Sequence, residues 1–127
     1  MARNVCKILG VVLALAGICG FLKSDLAGMH LTPLHNVVHL VTAAIALYVG
    51  FRGSDSHVRT FNQVFGVIYL LLGILGFAAP NVVASIIQAH SADGMAADSV
   101  IHLLVGIVVS LRRMCMISGP NYASPQK

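Results

Sequence analysis

Two pairs of ionisable side chains, each spaced four residues apart, are the part of this sequence best suited to chemistry. His35 and His39 lie in the segment His-Asn-Val-Val-His-Leu, and Asp98 and His102 lie in the segment Asp-Ser-Val-Ile-His-Leu. Residues at i and i+4 are neighbours on one face of an α-helix, so each pair can chelate an ion. If the two helices pack together, three imidazoles and one carboxylate form a ligand set suited to tetrahedral zinc, and copper or iron can use the same donors.

The same residues allow other kinds of site. His39 and His102 occupy equivalent positions, and histidines on two helices can hold a haem through two axial ligands or a chlorin through one. Such a haem would be non-covalent, because the chain has no Cys-x-x-Cys-His sequence. In a purely structural interpretation, Asp98 caps a helix and the four side chains hydrogen-bond between helices. Proton or ion handling is a further alternative, and the residues alone leave all of these open.

The composition predicts an integral membrane protein. Of the 127 residues, 57% are hydrophobic and only 9% are charged, and none is glutamate. A soluble domain usually carries about a quarter charged residues, which this chain lacks. The net charge of +4 does not indicate nucleic-acid binding, because the lysines and arginines lie at the ends of apolar runs and not together on one face. Without glutamate, a di-iron site of the Glu-x-x-His kind is excluded.

Four apolar stretches predict four transmembrane helices and an all-α fold. They cover residues 8–22, about 33–51, about 61–79 and about 95–111. A crossing takes about 20 helical residues, and lysine and arginine stems can reach the interface from the helix ends. The fourth stretch has only 13 residues between Asp98 and Arg112, so Asp98, the arginines or both must enter the interfacial zone.

The connections between these stretches carry their own signals. Thr32-Pro33 predicts an N-cap followed by proline at the first position of the second helix. Residues 52–60 are interpreted as a plain turn. Residues 80–97 are expected to contain a short amphipathic helix at the membrane interface, because apolar residues recur there at helical spacing. Those apolar residues are Val82, Val83, Ile86 and Ile87, followed by the polar residues Gln88, His90 and Asp93.

The chain also contains an internal repeat. Glycines at 10, 17 and 20 recur 56 positions later at 66, 73 and 76, and the His35 segment recurs 63 positions later at Asp98. We therefore predict a tandem duplication of a helical hairpin, with repeat 1 at about 5–53, repeat 2 at about 60–115 and seven additional residues in the connection of the second copy. Each copy contains an even number of spans, so the copies share an orientation and are related by a pseudo-two-fold axis along the membrane normal. The glycines are interpreted as helix-packing positions.

Topology follows from the positive-inside rule. Seven of the eight cationic residues lie on one side if the chain crosses four times, and only Lys23 lies on the other. The seven are Arg3, Lys7, Arg52, Arg59, Arg112, Arg113 and Lys127. Both termini are therefore expected in the cytoplasm, and the histidine pairs are expected near the outer face. We divide the chain into a four-helix transmembrane domain at 1–117 and a polar cytoplasmic tail at 118–127.

The remaining reactive side chains give weaker signals. Cys6, Cys19 and Cys115 have no metal-binding or redox spacing and are interpreted as small packing residues. The other three histidines, His30, His57 and His90, are expected to be solvated in loops. Tyr48 and Tyr69 lie within spans and are interpreted as packing residues that are able to form interior hydrogen bonds.

The motifs resemble those of a known family. The second apolar stretch (span two) contains H-N-x-x-H-L and the fourth (span four) contains D-x-x-x-H-L, and each follows a glycine-rich span. This combination resembles a family of small bacterial four-helix membrane proteins of unknown function. The resemblance covers roughly residues 8–111, with His35, Asn36, His39, Asp98 and His102 at its recurrent polar positions. It implies a location in the bacterial inner membrane and implies no reaction.

Two functional classes remain from the sequence. In the first, the chain is a small accessory or structural subunit, with the lipid bilayer and other membrane subunits, or copies of itself, as partners. In the second, the cluster of histidines and Asp98 binds a metal or a haem-like cofactor. A third and weaker functional class is the transport of protons or ions by an oligomer. We expect no enzyme, because the sequence offers no nucleophile with an attendant base and no carboxylate pair.

Overall fold

The computed structural model describes residues 2–26, 28–89 and 94–117, and for residues 26, 30 and 112–117 it describes the backbone only. These residues form five helices: α1 (Ala2–Leu22), α2 (Pro33–Arg52), α3 (Asp55–Ala78), α4 (Pro80–Ile86) and α5 (Met95–Ile117). A two-residue antiparallel strand pair, β1 (Asp25–Leu26) and β2 (Met29–His30), lies between α1 and α2. The predicted helical class is confirmed, with this small strand pair as an unpredicted addition.

Three helices are long and apolar enough to cross a membrane. The most apolar stretches of α1, α2 and α3 have mean hydropathies of 2.4, 1.6 and 1.8, and α5 is a shorter apolar helix over Met95–Leu111. Large apolar side chains such as Leu15, Val41 and Leu71 are more than half exposed on these helices. A soluble monomer rarely exposes so much contiguous apolar surface, whereas lipid solvates it. The chain therefore has the helices and the surface of a membrane protein.

The long helices associate in two pairs, α1 with α2 and α3 with α5. Each pair packs through three glycines of its first helix. The contacts are Gly10 with Leu47, Gly17 with Leu40 and Gly20 with Asn36, then Gly66 with Ser110, Gly73 with Leu103 and Gly76 with Ser99. A Cβ at Gly17 would lie 2.8 Å from Cγ of Leu40, and one at Gly73 would lie 2.5 Å from Cγ of Leu103, so a side chain does not fit at either position. The interpretation of these glycines as packing positions is confirmed.

The two pairs meet at a buried polar contact near the amino terminus. The Cys6 thiol donates to Oδ1 of Asn62 at 3.0 Å, and Nδ2 of Asn62 donates to the Ala2 carbonyl at 3.0 Å. Beside it, the Arg3 guanidinium donates to the Gly53 carbonyl at 2.9 Å and to Oδ1 of Asp55 at 2.7 Å. We call Arg3, Cys6, Asp55 and Asn62 the amino-terminal cluster. Each of these side chains has a hydrogen-bond partner, so the cluster ties α1 to α3.

Helix α3 begins earlier than the sequence indicated. The prediction of a plain turn over 52–60 is wrong, because only Gly53 and Ser54 separate α2 from α3. Ser54 caps α3 by accepting from the backbone N–H of His57, and the Ser54 backbone N–H donates to Nδ1 of His57. This reciprocal capping box, with Asp55 in the first helical turn, stabilises a helix start among polar residues. His57 thus lies on a helix, with an exposed side chain, and not in a loop.

Helix α4 confirms the short helix that was expected after span three. It begins at Pro80, whose lack of a backbone N–H costs nothing because the first residue of a helix donates no intrahelical hydrogen bond. Its Val83 is buried against Met95 of α5. The predicted polar continuation at His90 and Asp93 lies outside the described residues. The Thr32 hydroxyl donates to the Ile87 carbonyl just after α4. It also accepts from the His35 backbone N–H, which confirms the predicted N-cap of α2.

Candidate functional site

The four residues singled out by their spacing lie together in the structure. His35 and His39 on α2 and Asp98 and His102 on α5 are all buried, with exposures between 5% and 8%. Nε2 of His35 lies 3.8 Å from Oδ1 of Asp98, and Nδ1 of His102 lies 3.2 Å from Oδ2 of Asp98. The ring centroid of His35 is 4.3 Å from that of His39 and 6.1 Å from that of His102. We call these four residues the His cluster.

The three imidazoles are close enough together to share one ion. His35, His39 and His102 can each offer a ring nitrogen so that the three atoms lie within 4.8 Å of one another. Nitrogens bound to one tetrahedral zinc at the usual Zn–N distance are roughly 3.4 Å apart. Small side-chain rotations therefore convert the observed arrangement into a coordination shell. Asp98 is not one of these three donors and instead contacts two of the rings.

Hydrogen bonding orients one of the rings. Nδ1 of His102 lies 2.8 Å from the backbone carbonyl oxygen of Asp98, which can only accept. The proton of a neutral His102 ring therefore sits on Nδ1, and Nε2 carries a free lone pair. Metal-binding histidines usually have this arrangement: one ring N–H donates to a carbonyl or carboxylate, and the other nitrogen binds the metal.

The other two rings have unpaired nitrogens. Nδ1 of His35 and Nδ1 of His39 are buried without a hydrogen-bond partner among the described residues, and so is Oδ1 of the neighbouring Asn36. A buried polar group left unpaired typically costs about 1–3 kcal/mol, and native structures contain few of them. Two such nitrogens lie in one cluster, and an imidazole nitrogen that carries a lone pair can donate it to a cation.

A cavity of about 430 Å³ opens beside the His cluster. It lies between α2 and α3, next to α4 and α5, and all four cluster residues line it. The walls are mainly apolar, with Leu34, Val38, Phe65, Ile68, Val83 and Ile86 among them. A concave apolar site with a few convergent polar groups is the common form of a ligand pocket.

Two further residues belong to this site and were not assigned to it from the sequence. Tyr69 packs its ring 4.9 Å from the His102 ring, and both Tyr69 and Thr42 line the cavity. Thr42 had a usable signal, because it lies three residues after His39 and so shares its helix face. Tyr69 had none beyond being a polar residue within a span, a property that the exposed Tyr48 shares.

The other candidates from the sequence do not join the site. His57 lies at the opposite end of α3, in its first turn. Cys6 is held in the amino-terminal cluster. The side chains of His30, His90 and Cys115 lie outside the described part of the chain.

Comparison with known families agrees with the motif resemblance at a coarse level. Residues 3–114 match the model of a family described as a domain of unknown function (DUF4383), and the chain belongs to that family. No curated protein and no solved structure matches the chain. The match spans all five helices, so the His cluster lies within the family domain.

Proposed function

We propose that this member of the DUF4383 family binds a divalent transition metal, with zinc as the best match, in the His cluster. The observation that carries the proposal is the presence of three buried imidazoles with ring nitrogens within 4.8 Å, two of which have an unpaired Nδ1. Imidazole nitrogen suits zinc, copper, nickel and iron. Zinc is the best match because its filled d shell imposes no geometry, so it adopts the one that the protein's ligands provide.

Each residue of the cluster has a distinct part in this site. We assign Nδ1 of His35 and of His39 as ligand atoms because both are buried without a hydrogen-bond partner among the described residues. We assign Nε2 of His102 because its Nδ1 donates to the Asp98 carbonyl. Asp98 was predicted as a fourth ligand. We assign it instead to orienting His102, because its Oδ2 lies 3.2 Å from the His102 nitrogen that faces away from the metal. Three protein ligands leave a fourth position open, as in catalytic zinc sites.

A haem or chlorin is less compatible with this geometry. A macrocycle bound between His39 and His102 needs a flat space between the two rings. The His35 ring lies 4.3 Å from His39 and 6.1 Å from His102, centroid to centroid, so it is close to both rings that would hold the macrocycle. A single ion requires only small rotations of the three rings.

Metal content of the purified protein tests the proposal. Elemental analysis of wild type in mild detergent, after dialysis against zinc, should find about one zinc per chain. The same measurement on a His39→Ala, His102→Ala double variant should find almost no zinc, because two of the three ligands are lost. His57→Ala is the matched control, since it removes an exposed histidine from the other end of the molecule. Equal zinc in all three proteins would overturn the assignment.

The membrane architecture that we propose has four crossings, with α5 as the fourth, and arises from duplication of a hairpin. The correspondence of contacts supports it, because the three glycine contacts of α1 with α2 recur between α3 and α5 at the repeat offsets. Cys6 and Asn62 are equivalent positions and contact each other, as do His35 and Asp98. Contacts between equivalent residues are expected along a two-fold axis.

For orientation, we propose that both termini face the cytoplasm and that the His cluster lies near the outer face of a bacterial inner membrane. The support is the distribution of cationic residues and, for the bacterial setting, the family resemblance. A reporter enzyme that is active only in the cytoplasm should be active when fused after Lys127. Activity only of a reporter that works outside the cytoplasm would contradict the proposed orientation.

The accessory-subunit role and the transport role stay predictions. A stable larger assembly recovered by pull-down in mild detergent would support the first. Proton or ion flux through liposomes containing the protein would support the second. Neither outcome bears on metal binding, because a subunit or a carrier can also hold an ion.

A further inference from the structure

The cavity beside the His cluster has its mouth on the lipid-facing surface. Several residues that line it are also substantially exposed. They are Leu34 at 37%, Val38 at 52%, Ile68 at 41% and Ile86 at 60%. All four are apolar, so the opening between α2 and α3 faces a medium that solvates apolar groups. A molecule that reaches the cluster through this opening must be soluble in the bilayer.

The lining of the cavity changes from apolar to polar as its residues become less exposed. The exposed lining residues are apolar, whereas the four residues of the His cluster, which also line the cavity, are at most 8% exposed. A volume of about 430 Å³ lies in the range that holds one drug-sized ligand. The matching ligand has one apolar chain and a small polar head.

The charge at the polar end selects the kind of head. A divalent metal on three neutral imidazoles carries +2, and the adjacent Asp98 carboxylate contributes −1. A net charge of +1 remains in a buried site, and leaving it uncompensated is unfavourable. An anionic head bound at the open fourth position cancels this charge, and carboxylate oxygen is an ordinary zinc ligand.

We infer that the metal in the His cluster binds the carboxylate of a single-chain fatty acid, whose alkyl chain lies in the α2/α3 cavity and reaches it from the bilayer. This inference rests on the proposed metal site. Thr42 and Tyr69 line the same cavity and add a hydroxyl group each to its polar lining. The α4 helix contributes the buried Val83 to the wall and the exposed Ile86 to the mouth.

A second groove in the molecule provides an internal comparison. It lies between α1 and α5, has a volume of about 320 Å³ and is lined only by valine, leucine and isoleucine. An acyl chain can lie there too, but the groove has no polar end to bind a head. Selectivity for a carboxylate is therefore expected at the α2/α3 cavity and not at this groove.

Cobalt substitution tests the inference through the metal itself. Co²⁺ replaces zinc, and its visible d–d absorption changes when a new ligand enters its coordination shell. Titrating the Co²⁺-loaded protein in detergent with palmitate should change that spectrum and saturate at one palmitate per chain. Methyl palmitate, which has no free carboxylate, should leave it unchanged. Acetate, which has no alkyl chain, should produce the same spectral change only at a concentration at least 100-fold higher than that of palmitate.

Two variants test where the alkyl chain of the fatty acid lies. Val38→Trp fills the mouth of the cavity and should weaken the palmitate response at least tenfold while the cobalt content stays at one per chain. Val41→Trp is the matched control, because Val41 is on the same helix, is 55% exposed and is not a residue of the cavity lining. It should respond as wild type does.

The outcomes separate this inference from the proposed function. Wild type that retains cobalt but gives the same response to palmitate and methyl palmitate, or no response to either, overturns the fatty-acid assignment and leaves the metal site intact. A Val38→Trp response equal to that of Val41→Trp also overturns it. Wild type that retains no cobalt or zinc overturns both.

Discussion

The molecule has two buried polar clusters, and they differ in how completely their atoms are paired. In the amino-terminal cluster, the Cys6 thiol and the Asn62 amide both find partners across the interface between α1 and α3. In the His cluster, the Nδ1 atoms of His35 and His39 have none among the described residues. Both clusters lie where the two helix pairs meet, and Cys6 and Asn62 of the first are buried as deeply as the four residues of the second.

This difference is the one expected if the amino-terminal cluster has a structural role and the His cluster has the proposed binding role. Polar groups between membrane helices are stabilising when they pair with each other, as at Asn62. Unpaired buried groups lower the stability of the chain, and a bound ion would supply the partners that the His cluster lacks. The two clusters should therefore respond to metal and to mutation in opposite ways.

The largest effect is expected from zinc itself. A metal that binds only the folded protein raises the free energy of unfolding by about 4 kcal/mol when free metal is 1,000 times its dissociation constant. Thermal unfolding in detergent, followed by circular dichroism with zinc and then with a chelator, measures this. His39→Ala should lose the stabilisation, and Asn62→Ala should keep it. A stabilisation of the same size in both variants would remove the distinction between the clusters.

Asn62→Ala should destabilise the protein whether metal is present or absent. The change removes the acceptor for the Cys6 thiol and the donor to the Ala2 carbonyl. Hydrogen bonds between membrane helices average about 0.6 kcal/mol each, so we expect a loss of roughly 1–2 kcal/mol in the free energy of unfolding. Asn62→Gln is a useful second variant, because it keeps the amide while displacing it. An unchanged unfolding midpoint for Asn62→Ala would show that the pairing contributes nothing.

His39→Leu should have a small effect in the metal-free protein. Its Nδ1 already lacks a partner, so an apolar residue of similar size removes an unfavourable burial and breaks no bond. We expect a free energy of unfolding equal to wild type or slightly higher under chelation, together with complete loss of zinc stabilisation. A strong destabilisation without metal would mean that His39 is a structural residue like Asn62.

The smallest effect is expected at the exposed edge of the amino-terminal cluster. Asp55→Asn removes the ion pair with Arg3, but the Asp55 side chain is 82% exposed and its charge is screened by solvent. Unfolding midpoints should be nearly the same as for wild type, and any difference should shrink as salt is added. Arg3→Ala should be the more damaging change, because Arg3 also donates to the Gly53 carbonyl.

Much of the fold could be predicted because its signals are local. The long apolar runs indicate helices directly, and the glycine spacing indicates which face of α1 and α3 packs closely. The start of α3 could not be predicted in the same way. Asp55 and Arg59 interrupt the apolar pattern, yet the helix continues through them because a capping box at Ser54 stabilises its first turn. Apolar patterning marks the part of a helix that meets lipid and not the full extent of the helix.

The site could be predicted as a set of residues but not as a set of atoms. Spacing places His35 with His39 and Asp98 with His102 on shared helix faces, and the structure brings both pairs together. Which nitrogens stay unpaired depends on side-chain torsions that tertiary packing decides. The contribution of Tyr69 depends in the same way on how α3 rotates against α5, and no spacing in one helix determines that rotation.

Thr32 links α4 to His35, one of the proposed ligands. Its hydroxyl donates to the Ile87 carbonyl at the end of α4 and accepts from the backbone N–H of His35. A displacement of α4 therefore pulls on the first turn of the helix that carries His35. In the proposed metal site, opening of this connection would disturb one ligand helix, so we expect the exchange rate of the ion to depend on it.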